Sequence, residues 1–116
     1  MWLFSRHGFY SVVQDKTDSG LIQIRARIKD DLDGLSAFAD KRLGMKMSSI
    51  ISTPHADYAY RVVVGRKEWA KVATALAQDI DYENFKNEVH GEEDRDDAYL
   101  GCWSEMHELQ QKRKNA

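Results

Sequence analysis

The stretch "LIQIRARI", residues 21–28, alternates without a break: Ile22, Ile24, Ala26 and Ile28 fall on one side, Gln23, Arg25 and Arg27 on the other. A period of two is the signature of a strand buried on one face only. Immediately afterwards the period changes. In "KDDLDGLSAFADKRLG", 29–44, Leu32, Leu35, Ala39 and Leu43 recur at helical spacing. A strand followed at once by an amphipathic helix must lay the helix on the strand's apolar face. The opposite face then carries Gln23, Arg25 and Arg27, and the chain must pair those charges, cover them or leave them in water.

The remaining segments follow the same logic. "GFYSVVQ", 8–14, has β-branched and aromatic strand content, and "DKTDSG", 15–20, is turn chemistry, so residues 8–28 read as a hairpin. In the 29–44 helix Asp30 is a candidate N-cap, Asp31 and Asp33 favour the positive end of the dipole, and Gly44 is a natural stop. Gly34 weakens that helix by ~1 kcal/mol relative to alanine. "MSSIIST", 47–53, is a short strand candidate closed by Pro54. "YAYRVVV", 58–64, is a strand with Tyr58, Tyr60, Val62 and Val64 on the core side and Arg61 on the other.

"RKEWAKVATALAQDI", 66–80, is a helix with Trp69, Val72, Ala73, Leu76 and Ile80 on its stripe. "DYENFKNEV", 81–89, continues or restarts it, with Asp81 as a cap. "HGEEDRDD", 90–97, reads as an exposed acidic loop. "AYLGCWSEMHELQQK", 98–112, reads as a last helix with Tyr99, Cys102, Trp103, Met106 and Leu109 inward.

The order β-β-α-β-β-α plus C-terminal helices predicts a single α+β domain over residues 1–116. Its four-stranded, mainly antiparallel sheet carries helices on one face, in a circularly permuted ferredoxin-like arrangement. The strands holding "IRAR" and "YRVVV" are then central, and Arg25, Arg27 and Arg61 cluster on the face away from the helices. One cysteine, Cys102, permits no intrachain disulfide and suits a reducing cytosol. No window approaches the ~20 apolar residues needed to span a bilayer, and "MWLF" ends after four residues, too short for a signal peptide. The expectation is a cytoplasmic protein without a membrane partner.

The chain resembles a family of short, uncharacterised bacterial and phage-encoded proteins. The pieces that carry the resemblance are "MWLF", "GFYSVVQ", "IRAR", "DYAYRVVV", "EWAKV", "DIDYENFKNEV" and the late "W" with "M" and "LQ". It spans nearly the full length and implies no assigned activity, so no site residue comes from it.

Net charge is −2, divided into +4 over residues 1–77 and −6 over 78–116. Arg25, Arg27 and Arg61, with Arg6, Lys29, Arg66 and Lys67 near them in sequence, can neutralise phosphates. They can equally pair with carboxylates of the C-terminal helices or of a second copy. Trp2, Leu3 and Phe4 form an apolar plug that either closes the chain's own core or crosses to another chain, and Trp and Arg are favoured at interface centres. The expected function is therefore a non-enzymatic interaction or regulatory protein, with a protein partner or homodimer. The alternative is a nucleic-acid-binding accessory protein using the Arg25/Arg27/Arg61 face.

No cofactor is expected, because no glycine-rich phosphate loop is present. A third, weaker reading is a metal-dependent enzyme built on His55, Asp57, Asp79 and Asp81, although the four histidines are scattered and no zinc-ligand motif appears. Ser104 and His107 are close on a helix but make no triad, since nothing orients the imidazole. Cys102 is expected to be buried and inert.

Overall fold

The computed structural model describes residues 1–115. Contacts divide the chain into two compact units, Met1–Asp81 and Tyr82–Ala116.

The first unit is a five-stranded antiparallel sheet in the order β1-β2-β3-β5-β4, with two helices. β1 (Trp2–Ser5) and β2 (Gly8–Gln14) form a tight hairpin around Arg6 and His7. β3 (Leu21–Ala26) pairs with β2 on one side and with β5 (Tyr60–Gly65) on the other. β4 (Ile51–Ser52) is a two-residue edge strand beside β5. The sheet thus has five strands rather than four. The extra one is the "WLF" segment, whose alternation is too short to stand out in sequence. It is a fixed edge strand, with Leu3 turned to the core. β3 and β5 are adjacent, as expected of the strands carrying "IRAR" and "YRVVV".

α1 (Lys29–Leu43) and α2 (Arg66–Gln78) share one face of the sheet. Their residues Leu32, Leu35, Phe38, Ala39, Trp69, Val72, Ala75 and Leu76 close one core with Tyr10, Val12, Ile22, Ile24, Ala26 and Val62. Burying a large side chain in such a core contributes ~1.5–3 kcal/mol. The start of α1 differs from expectation. Ile28, not Asp30, occupies the N-cap of α1 and supplies no side-chain cap, while Gly44 ends the helix in the left-handed conformation (φ 63°). Asp31, in the first turn, is buried. Its Oδ2 accepts the Phe9 amide at 3.1 Å, and its carbonyl accepts the Tyr10 hydroxyl at 2.7 Å. That carboxylate ties α1 to the start of β2. Ile80 lies beyond α2 and is exposed.

In the second unit, α3 (Phe85–Glu88) is one turn, capped by the Asn84 side chain, and α4 (Glu93–Lys114) is a long helix. Most of the acidic stretch 90–97 is therefore the start of α4 rather than a loop. No α4 residue is buried, and Cys102 is exposed, against the inward placing of Tyr99, Cys102, Trp103, Met106 and Leu109. The physical reason is local. Within its own unit α4 has only the single turn of α3 to pack on, with Phe85 stacked against Tyr99. Among the described residues no helix is long and apolar enough to cross a membrane.

Candidate interaction face

Helices cover one side of the sheet in the first unit. The registers put Trp2, Phe4, Phe9, Ser11, Val13, Gln23, Arg25, Arg61, Val63 and Ile51 on the other. One end of this face is aromatic. Phe4 stacks on Phe9 with centroids 4.4 Å apart, and Trp2 meets Phe9 edge-on at 6.1 Å while staying 71% exposed.

The centre is cationic. Arg25 and Arg61 are directly opposed across β3 and β5. Like charges in that position repel. Neither forms an ion pair among the described residues, and their hydrogen-bond acceptors are neutral. Arg25 Nη2 donates to Ser11 Oγ at 2.7 Å. Arg61 Nη1 donates to Gln23 Oε1 at 2.9 Å, and its Nη2 reaches Thr53 Oγ1 at 3.3 Å. Arg61 Nε is buried with no hydrogen-bond partner. Gln23 links the charge onward, its amide donating to Asp15 Oδ1 at 2.9 Å. That bond, followed by those from Thr17, holds the Asp15 carboxyl below its ordinary pKa.

Arg27 differs. It follows the last residue of β3 and pairs with Asp57 at 3.3 Å, both side chains being exposed. Tyr58 corrects the sequence reading in part. It is buried as expected, but it precedes β5 and lies outside the main core cluster, its ring lying under both Arg25 (4.7 Å) and Arg27 (4.3 Å). The phenol ring holds two guanidinium groups in place by cation–π attraction. The structure thus brings together Arg25, Arg27 and Arg61, and sets Trp2 and Phe4 on the same sheet face.

A second cluster escaped the sequence. Asp79, just after α2, accepts from His7 Nε2 at 3.0 Å and Arg42 Nη2 at 3.1 Å, and pairs with Arg6 Nε at 3.4 Å. Arg6 also bonds the Asp81 carboxylate. His7 stacks on Phe38. Burial pushes the Asp79 carboxyl up, but the His7 bond, the Arg42 bond and the Arg6 charge together outweigh it and leave its pKa lowered. The cluster pins the β1–β2 turn and the end of α1 to the end of α2. The partners are more than thirty positions apart in sequence, so no local pattern signals it.

The metal reading loses its ligands to these pairs. Asp57 takes Arg27, Asp79 takes Arg6, His7 and Arg42, and Asp81 takes Arg6 instead of capping a helix. Among the described residues no three His, Cys, Asp or Glu side chains are grouped to hold a metal ion. A groove of about 470 Å³ runs between α1 and residues 46–50, and its charged members Asp33 and Asp40 pair with Lys29 and Lys46. No protein-family model, curated protein or solved structure matches this chain.

Proposed function

We propose that this is a non-enzymatic interaction or regulatory protein of the cytoplasm, and that the open sheet face is its binding surface. Its β2-β3-α1-β4-β5-α2 order is consistent with a permuted ferredoxin-like core extended by β1, in the short bacterial and phage-encoded family it resembles. The partner is a protein segment carrying carboxylates beside apolar side chains. One observation carries the reading: Arg25 and Arg61 stand side by side without a carboxylate, on the face that also holds Trp2, Phe4 and Phe9. An acidic segment removes the repulsion between the two cations, and its apolar groups cover the aromatic end. Arg and Trp are the residue types that carry binding energy at interface centres.

A second reading has its own support. Stacked aromatics beside arginines on an open antiparallel sheet are the elements with which sheet modules bind single-stranded nucleic acid. The protein reading is preferred because the first unit carries 12 Lys/Arg against 10 Asp/Glu, a weak field for a polyphosphate.

Fluorescence anisotropy separates them with two labelled probes, a peptide alternating Glu with Leu and Phe, and a mixed-sequence single-stranded oligonucleotide. The first reading expects peptide binding that weakens about tenfold or more in Arg25→Gln/Arg61→Gln and in Trp2→Ala/Phe4→Ala. Preferential, salt-sensitive oligonucleotide binding replaces it with the second. Binding of neither probe at low salt overturns both.

A further inference from the structure

α4 presents large apolar side chains to solvent along its middle: Leu100, Trp103, Met106 and Leu109 are all exposed, Trp103 by 54% and Met106 by 64%. Trp103 and Met106 lie on one seam at three-residue spacing, flanked by Leu100 and Leu109. Neighbours in the second unit leave them open. Lys86 lies 5.8 Å from the Trp103 ring centroid and His107 stacks on its face. An isolated helix of this length does not retain four such residues for its own stability.

The charge along the same helix says what fits the seam. Its start carries Glu93, Asp94, Asp96 and Asp97, and its last turn carries Lys112, Arg113 and Lys114. Two copies laid antiparallel bring each acidic end against a basic end, whereas two parallel copies set like against like. In the register that places Trp103 against Met106 of the other copy, Asp96, which also pairs with His90, lies level with its Arg113 on the seam side. Such a two-fold pair is self-complementary, each contact occurring twice. With both copies counted, the exposed apolar groups and flanking charges bury on the order of 1,000 Å², where specific interfaces begin.

We propose that α4 is a self-association surface, and that two chains pair through it as antiparallel helices packed at Trp103 and Met106. It uses no residue of the sheet face. A weak, reversible dimer is expected, with a dissociation constant on the order of micromolar.

Sedimentation equilibrium of the full chain tests it. The wild type is expected to show a reversible monomer–dimer equilibrium, and Trp103→Glu/Met106→Glu a shift of about tenfold or more toward monomer. Neither side chain is buried, so circular dichroism is expected to show a folded variant. A wild type that stays monomeric at about 0.2 mM overturns the proposal, as does a dimer that survives the double substitution. Orientation is read by electron–electron distance measurement on a spin-labelled Cys102→Ser/Lys114→Cys chain. Antiparallel pairing in this register separates the two labelled positions by roughly 29 Å along the axis. A separation near the ~10 Å of side-by-side helices contradicts it.

Discussion

At the scale of single residues, two positions of the first unit hold the sheet to its helices. Gly8 has φ +149°, and a Cβ there would lie 2.4 Å from Asp31 Cγ. The clash is with the buried carboxylate that accepts the Phe9 amide, so it is not relieved by swinging a surface side chain. Gly8→Ala is expected to cost about 2–4 kcal/mol in urea unfolding, from backbone strain plus the displaced carboxylate. A loss below half a kilocalorie contradicts that role.

Asp79 is the other position. Its lowered pKa means that its contribution is complete above the ordinary carboxylate value of about 4 and is lost as pH falls through the lower value of the folded state. Asp79→Asn is expected to cost about 1–2 kcal/mol near neutrality. The gap to the wild type narrows as the pH drops through the acid range. A gap that is constant with pH contradicts the pairing. Neither role is legible in sequence. Asp31 was readable only as a dipole partner, and Asp79 only as a candidate metal ligand. Their partners arrive through folding from distant positions.

At the scale of elements, the strands and helices with a clean period were legible and the others were not. Residues 21–28 and 29–43 announce their change of period, and Leu32, Leu35 and Ala39 are buried as that period requires. Tyr58 is buried as its parity suggests, but beneath the arginines rather than in the main cluster, because it lies before the first paired residue of β5. α4 was misread because apolar spacing shows which residues share a face, not whether a layer exists to receive it. The facing pair on β3 and β5 gives an element-scale prediction. If Arg25 and Arg61 repel, either single change to Met already relieves the repulsion, so replacing both costs more than the two single changes added together. The coupling is expected to be about 0.5–1 kcal/mol and to shrink at high salt. Strict additivity shows that water or neighbouring dipoles already screen the pair. β1 offers a companion test. Trp2→Ala leaves the core cluster intact, and it is expected to shift stability by about 0.5 kcal/mol or less while weakening peptide binding. A loss of stability with no loss of binding makes Trp2 a structural residue instead.

At the scale of the molecule, the account rests on an asymmetry within the first unit. One face of the sheet is sealed by α1 and α2, and the other carries an aromatic row and two cations with neutral partners. The helix-covered face follows from periodicity, and so does the existence of an arginine face. The neutrality of the acceptors around Arg25 and Arg61 does not, because it depends on which side chains Ser11, Gln23 and Thr53 bring alongside. Those neutral acceptors fix the guanidinium groups in position without cancelling their charge, an arrangement suited to a partner that brings the missing carboxylates.

The most direct measurement is an amide chemical-shift map of the isotope-labelled protein titrated with the Glu–Leu–Phe peptide. The account predicts shifts at Trp2, Phe4, Phe9, Ser11, Gln23, Arg25, Arg61 and Val63, little change along α1 and α2, and loss of the response in Arg25→Gln/Arg61→Gln. Shifts centred on the α1 groove, or the same sheet response in that double variant, would contradict it.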